Sequence, residues 1–215
     1  MMVARGKKPT ARGWSHAIAA VIALVFSIAM AMKTSANVEH MLSVVVFGAS
    51  MVLLFSMSAV YHLGRYSDGV RLTLRAIDHS NIYLLIAGTY TPIIVIGLEG
   101  WHKTVSLWSI WILAVAGVVF SVFVRESPRW VRFGLYIAMG WFSLFIIPAL
   151  YKTSGSEPVG LMVCGGVLYS VGAIVYATKK PDPWPDTFGF HEIFHAFVIA
   201  GCACFAATIW IWLRA

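Results

Sequence analysis

From Ile193 to Leu213 the chain carries no Asp, Glu, Lys or Arg, a run long enough to cross a bilayer as a helix. Stretches 13–32, 41–64, 79–98, 104–124, 133–151 and 158–178 are free of charge in the same way. All seven are dominated by Leu, Ile, Val, Ala, Phe and Met, and none alternates with period two, which disfavours a membrane β-barrel. In hydrocarbon a helix satisfies its own backbone. The expected fold is therefore all-α, an integral membrane bundle of seven transmembrane helices at about 13–32, 41–64, 76–98, 104–124, 133–151, 158–178 and 190–213.

Composition agrees. Only 12% of residues are charged, against about 25% in a soluble domain. No low-complexity tract, long linker or clear internal repeat divides the chain, so residues 1–215 read as one domain. The formal charge of +7 would suit nucleic acid if it lay on one soluble face. Here the basic residues sit between apolar spans, where topology explains them.

With seven spans, the N-terminus and the second, fourth and sixth loops share one side. That side holds Arg5, Lys7, Lys8, Arg12, Arg65, Arg71, Arg75, Arg125, Arg129, Arg132, Lys179 and Lys180. The other holds Lys33, Lys103, Lys152 and Arg214. Twelve against four puts the N-terminus in the cytoplasm and the C-terminus outside. Basic residues ahead of the first span resemble a signal peptide, but its apolar core exceeds the usual 7–15 residues, which favours an uncleaved helix. Trp14, Trp101, Trp130, Trp184, Trp210 and Trp212 fall near span ends, as an aromatic belt would.

Local punctuation fits. Ser156-Glu157-Pro158 reads as N-cap, acidic first turn and tolerated early proline. The run 179–186 holds three prolines and cannot be helical, and Asp186 or Thr187 offers a cap for the last helix. Pro92 and Pro148 predict kinks. Cys164, Cys202 and Cys204 all fall in apolar spans and read as small buried hydrophobes.

Topology selects the candidate site. His191 and His195, four apart, lie one above the other on a helix, as a chelating pair requires. His62 at the end of the second span and Asp78 at the start of the third fall in the same leaflet. Three neutral imidazoles leave a tetrahedral Zn²⁺ with one open position, where bound water acquires a pKa of about 7. Asp78 is suited to orient that water and take its proton, and Ser58, one turn before His62, to assist it. Plainer readings stand beside these: an interfacial His62, Asp78 as a helix cap or partner of Arg75, and Ser58 bonded to its own helix. Imidazole also accepts iron or nickel. His16, His40, His79 and His102 are left outside the metal shell.

Ser58-Ala-Val-Tyr-His62, the run Asp78-His-Ser-Asn-Ile-Tyr-Leu-Leu-Ile-Ala-Gly-Thr-Tyr-Thr-Pro92 and His191-Glu-Ile-Phe-His195 together resemble the haemolysin III family, the bacterial branch of the progestin and adiponectin receptor group. The resemblance spans nearly the whole chain. It implies a seven-helix protein of the bacterial inner membrane with zinc on His62, His191 and His195, a water-holding Asp78 and a motif serine at Ser58. One departure is plain: Lys8, Pro9 and Arg12 occupy the stretch where the family often has an acidic residue and an Asn before a His.

Three functional readings follow. The first is a zinc-dependent hydrolase cutting a lipid amide or ester, since adiponectin-receptor relatives are linked to ceramide hydrolysis. Its partners would be the bilayer and a lipid substrate drawn from it. The second is non-enzymatic: a lytic, channel-like, receptor or membrane-homeostasis role with a structural zinc. The third takes H-E-x-x-H literally as a zinc protease with Glu192 as base, although no acidic third ligand follows Glu192. Oligomeric state is not constrained.

Overall fold

Leaving water, each crossing must close its own hydrogen bonds, and the helix ends show how the chain does so. The computed structural model describes residue 9 and residues 11–124 and 127–213. The basic residues Arg5, Lys7, Lys8 and Arg125 and the opposing Arg214 lie outside the described residues. Among the described residues, eight helical segments follow one another: α1 (Trp14–Lys33), α2 (Val38–Leu63), α3 (Asp68–Gly97), α4 (Gly100–Phe123), α5 (Arg129–Gly140), α6 (Ser143–Ser154), α7 (Ser156–Thr178) and α8 (Phe190–Trp212). They make seven crossings, because α5 and α6 share one.

Several ends differ from the sequence expectation. The third helix begins at Asp68, well before residue 76, because loss of charge marks the membrane edge rather than the helix end. Asp78 therefore lies well inside α3 and is not its cap. The cap of α7 is Gly155 rather than Ser156. Neither Asp186 nor Thr187 caps α8. Gly189 does, with the Glu192 carboxylate accepting from its backbone N–H at 2.8 Å. Asp182 accepts from the Phe190 N–H at 2.9 Å, so the proline-rich loop folds back onto the start of α8.

The segment Ser80–Val95 of α3 is buried almost throughout, which makes α3 the axis of the bundle. It packs along α2 and α4 and touches α5, α6 and α8. Small residues let the helices close in, since lipid offers no hydrophobic drive for helix association. A Cβ on Gly88 of α3 would fall 2.3 Å from Ser50 Oγ of α2, and one on Gly48 of α2 equally close to Ser27 Oγ of α1. By contrast α1 and α4 turn Ile18, Val21, Trp108 and Ile112 outward, as a lipid-facing surface requires.

The fifth crossing breaks at Trp141–Phe142. Pro148 lacks an N–H and crowds the carbonyl one turn earlier, but the break lies further upstream than the kink expected at Pro148. Its position is set by Tyr90 of α3, whose hydroxyl donates to the Gly140 carbonyl and accepts from the Ser143 N–H at 2.8 Å. Tighter i to i+3 bonds carry the chain through, such as Leu144 N–H to the Trp141 carbonyl at 3.0 Å. α3 itself runs on as one helix through Pro92.

Candidate metal site

Three helices bring the candidate residues to the end of the bundle where α1 and α8 begin. His62 stands in the last turn of α2, and His191 and His195 in the first two turns of α8. The Nε2 atoms of His62 and His191 are 3.0 Å apart. One ligand atom from each of the three imidazoles lies within 4.8 Å of the others, and no other group of three or more such ligands occurs among the described residues. Two nitrogen ligands of one tetrahedral zinc would stand about 3.3 Å apart, close to the His62–His191 separation. His62 and His195 are buried, and Nδ1 of His195 has no hydrogen-bond partner. A buried orphan nitrogen among neutral nitrogen donors fits a metal ion, and these three side chains can hold one.

Beside the imidazoles lies a chamber lined chiefly by α3, α5, α7 and α8, with residues of α1 and α2. Ser58, Asp78, His191 and His195 line its polar end, and the rest of its wall is largely apolar and aromatic. Ser58 of α2 and Asp78 of α3 lie close enough to interact, and both border the chamber. Asp78 is absent from the clustered ligands and faces the chamber instead. The free volume of the chamber is about 120 Å³.

Histidines set aside on sequence grounds fall in three places. His40 and His102 stand near the starts of α2 and α4, at the far end of the bundle, with His102 stacked on Trp101 at 3.7 Å. His79 joins the chamber wall, its Nδ1 2.7 Å from the Arg75 carbonyl and its Nε2 3.4 Å from the Tyr176 hydroxyl. His16 comes closest to the site. Its ring stacks face to face on His195 with centroids 3.7 Å apart and planes 7° from parallel. Sequence put His16 at the right end of α1 but could not give the rotation of α1 about its axis.

Glu192 sits between two ligands in sequence yet points away from them. One carboxylate oxygen takes the Gly189 N–H and the other takes Arg12 Nε at 2.8 Å. Arg12 thus fills the place of the missing acidic residue by pairing with an acid from α8. The segment before α1 is held further by Ala11 N–H to the Thr187 carbonyl at 3.2 Å. Gly13 follows at φ 89°, where a Cβ would meet His62 Cβ at 3.0 Å. Residues 11–13 therefore lie directly against the ligand set.

The cysteines depart in part from the buried reading. Cys202 is buried with its sulfur 3.1 Å from the Tyr169 hydroxyl, but Cys164 is exposed on α7, 3.9 Å from Cys204 Sγ.

The sequence profile described as "Haemolysin-III related" matches residues 5–206. The chain is 35% identical over 200 residues to "Hemolysin-3 homolog" of Bacillus subtilis (strain 168), covering 92% of this chain and 90% of that one. To "Hemolysin-3" of Bacillus cereus it is 34% identical over 199 residues, 92% and 88% of the two chains. More distantly, it is 25% identical over 215 residues to human "Monocyte to macrophage differentiation factor", 96% and 87% of the two chains.

Proposed function

Since the chain belongs to the haemolysin-III-related family and is a multi-pass bacterial membrane protein, we propose that it is a zinc-dependent hydrolase acting on a lipid amide or ester. The observation that carries this reading is that Asp78 and Ser58, both outside the ligand set, line one chamber with His191 and His195, two of the three clustered imidazoles. When bound, zinc on His62, His191 and His195 supplies a Lewis acid and lowers the pKa of water.

The chain's own residues supply the rest. Asp78 accepts the proton of the attacking water, and the neighbouring Ser58 hydroxyl assists it. The apolar chamber wall excludes bulk water and takes the first part of an acyl chain. A free volume of about 120 Å³ means that the remainder of a lipid lies between helices and bilayer, or that the wall moves to admit it. The protease reading loses its base, because both oxygens of Glu192 are committed to Gly189 and Arg12.

The small free volume of the chamber favours a second reading, in which the zinc ties α2 to α8 in a protein that turns nothing over. Metal content of the purified wild type, His191→Ala and Asp78→Asn, followed by hydrolysis of a panel of fluorescent acyl amides and esters, separates the two. One zinc per chain, lost with His191 and kept in Asp78→Asn, with hydrolysis abolished in both variants, is expected. Zinc lost in Asp78→Asn makes the aspartate a ligand and overturns the hydrolase, as does full zinc with no turnover on any substrate.

A further inference from the structure

His16 is 2% exposed, and neither ring nitrogen makes a hydrogen bond. The backbone carbonyl of His195 lies nearby but outside hydrogen-bond geometry. A neutral imidazole offers one donor and one acceptor, and leaving both unmet at membrane depth is costly. His16 is among the residues that line the same chamber as Ser58, Asp78, His191 and His195. Its face is already used, lying on His195 and tilted against Phe55 at 5.0 Å. The near-parallel stack at 3.7 Å sets its nitrogens alongside those of His195 rather than toward a common point, and the ligand cluster does not include it.

We propose that His16 is the hydrogen-bonding residue for the polar group of the molecule that occupies the chamber, a carbonyl of amide or ester type. This deepens the hydrolase reading and rests on the metal site beside it. The division of labour would be that His195 holds the ion, and that His16, one ring layer away, serves a ligand that shares the chamber with it. A residue in this place stabilises charge developing on a carbonyl oxygen as it is attacked.

The test uses the full chain in detergent, loaded with Co²⁺, which imidazole sites accept in place of zinc and whose visible bands report its ligands. Acetohydroxamate, a small carbonyl-bearing chelator, is the probe. His16→Phe keeps a flat ring on His195 but has no nitrogen, and His16→Gln restores a donor and an acceptor without the ring. The expected result is an unchanged cobalt stoichiometry in both variants, with hydroxamate affinity falling about tenfold or more in His16→Phe and recovering in part in His16→Gln. Wild-type affinity in His16→Phe overturns the proposal and leaves His16 as a stacking group. Loss of cobalt from both variants overturns it too, since His16 then acts by holding His195. If the wild type binds no cobalt, the metal reading itself fails, an outcome distinct from the other two.

Discussion

Arg12 and Glu192, 180 residues apart in the chain, form an ion pair at 2.8 Å whose carboxylate is 2% exposed. Because the same carboxylate closes the first turn of α8, the pair ties the segment before α1 to the turn that carries His191. Removing one partner of a buried pair leaves the other charged in a poorly solvated place, at a cost of about 3–5 kcal/mol.

Arg12→Ala, which strands the carboxylate, is expected near the lower end of that range, since the arginine keeps some contact with solvent. Glu192→Gln should cost less, because the amide oxygen still accepts from Gly189. Unfolding in detergent measures both. If Glu192 were a catalytic base, Glu192→Gln would abolish turnover at unchanged stability, and that pattern would restore the protease reading.

Metal binding should stabilise the bundle, because the ligands come from α2 and α8, which only folding brings together. With free ion at about 100 times its dissociation constant the gain is about 2.7 kcal/mol. Chelation should remove it from the wild type and have no effect on His191→Ala. Equal stability with and without chelator in the wild type would mean that these imidazoles do not share an ion.

Tyr90→Phe removes the hydroxyl that serves both sides of the break in the fifth crossing. The Gly140 carbonyl and Ser143 N–H then lose their partner, which is expected to cost about 1–3 kcal/mol. Faster amide exchange at Ser143, measured beside global stability, locates the effect. Unchanged exchange there would show that the break is held by other contacts.

The charge asymmetry predicts a cytoplasmic N-terminus. Alkaline phosphatase fused after residue 213 should be active and a fluorescent protein at the same place dark in a bacterial host. The reverse result would turn the bundle over and put the site in the outer leaflet.

Much of this arrangement is legible in the sequence for a simple reason: charge is costly in hydrocarbon, so its absence marks where helices cross. Side alternation then puts His62, Asp78, His191 and His195 at one end without any distance information. What the sequence does not reveal depends on rotation and on partners far along the chain. The stack of His16 on His195 needs the register of α1 against α2, set by Ser27 and Gly48. The break near Gly140 depends on a hydroxyl from α3 rather than on Pro148 alone. Asp78 looks like a helix start only because Arg71 and Arg75 mark the membrane edge while α3 runs on past them to Asp68.

The enclosure of α3 bears on how the protein is made. It is the least apolar of the seven crossings and the most enclosed by its neighbours. During synthesis it reaches the bilayer after α2 and before α4, when Asn81, Thr89 and Thr91 have only one side covered. A nascent chain ending at residue 98 should therefore insert its third segment poorly, whereas one extended through α4 should insert it fully. Assembly ordered in this way would bring Asp78 to its final depth only when the fourth helix arrives.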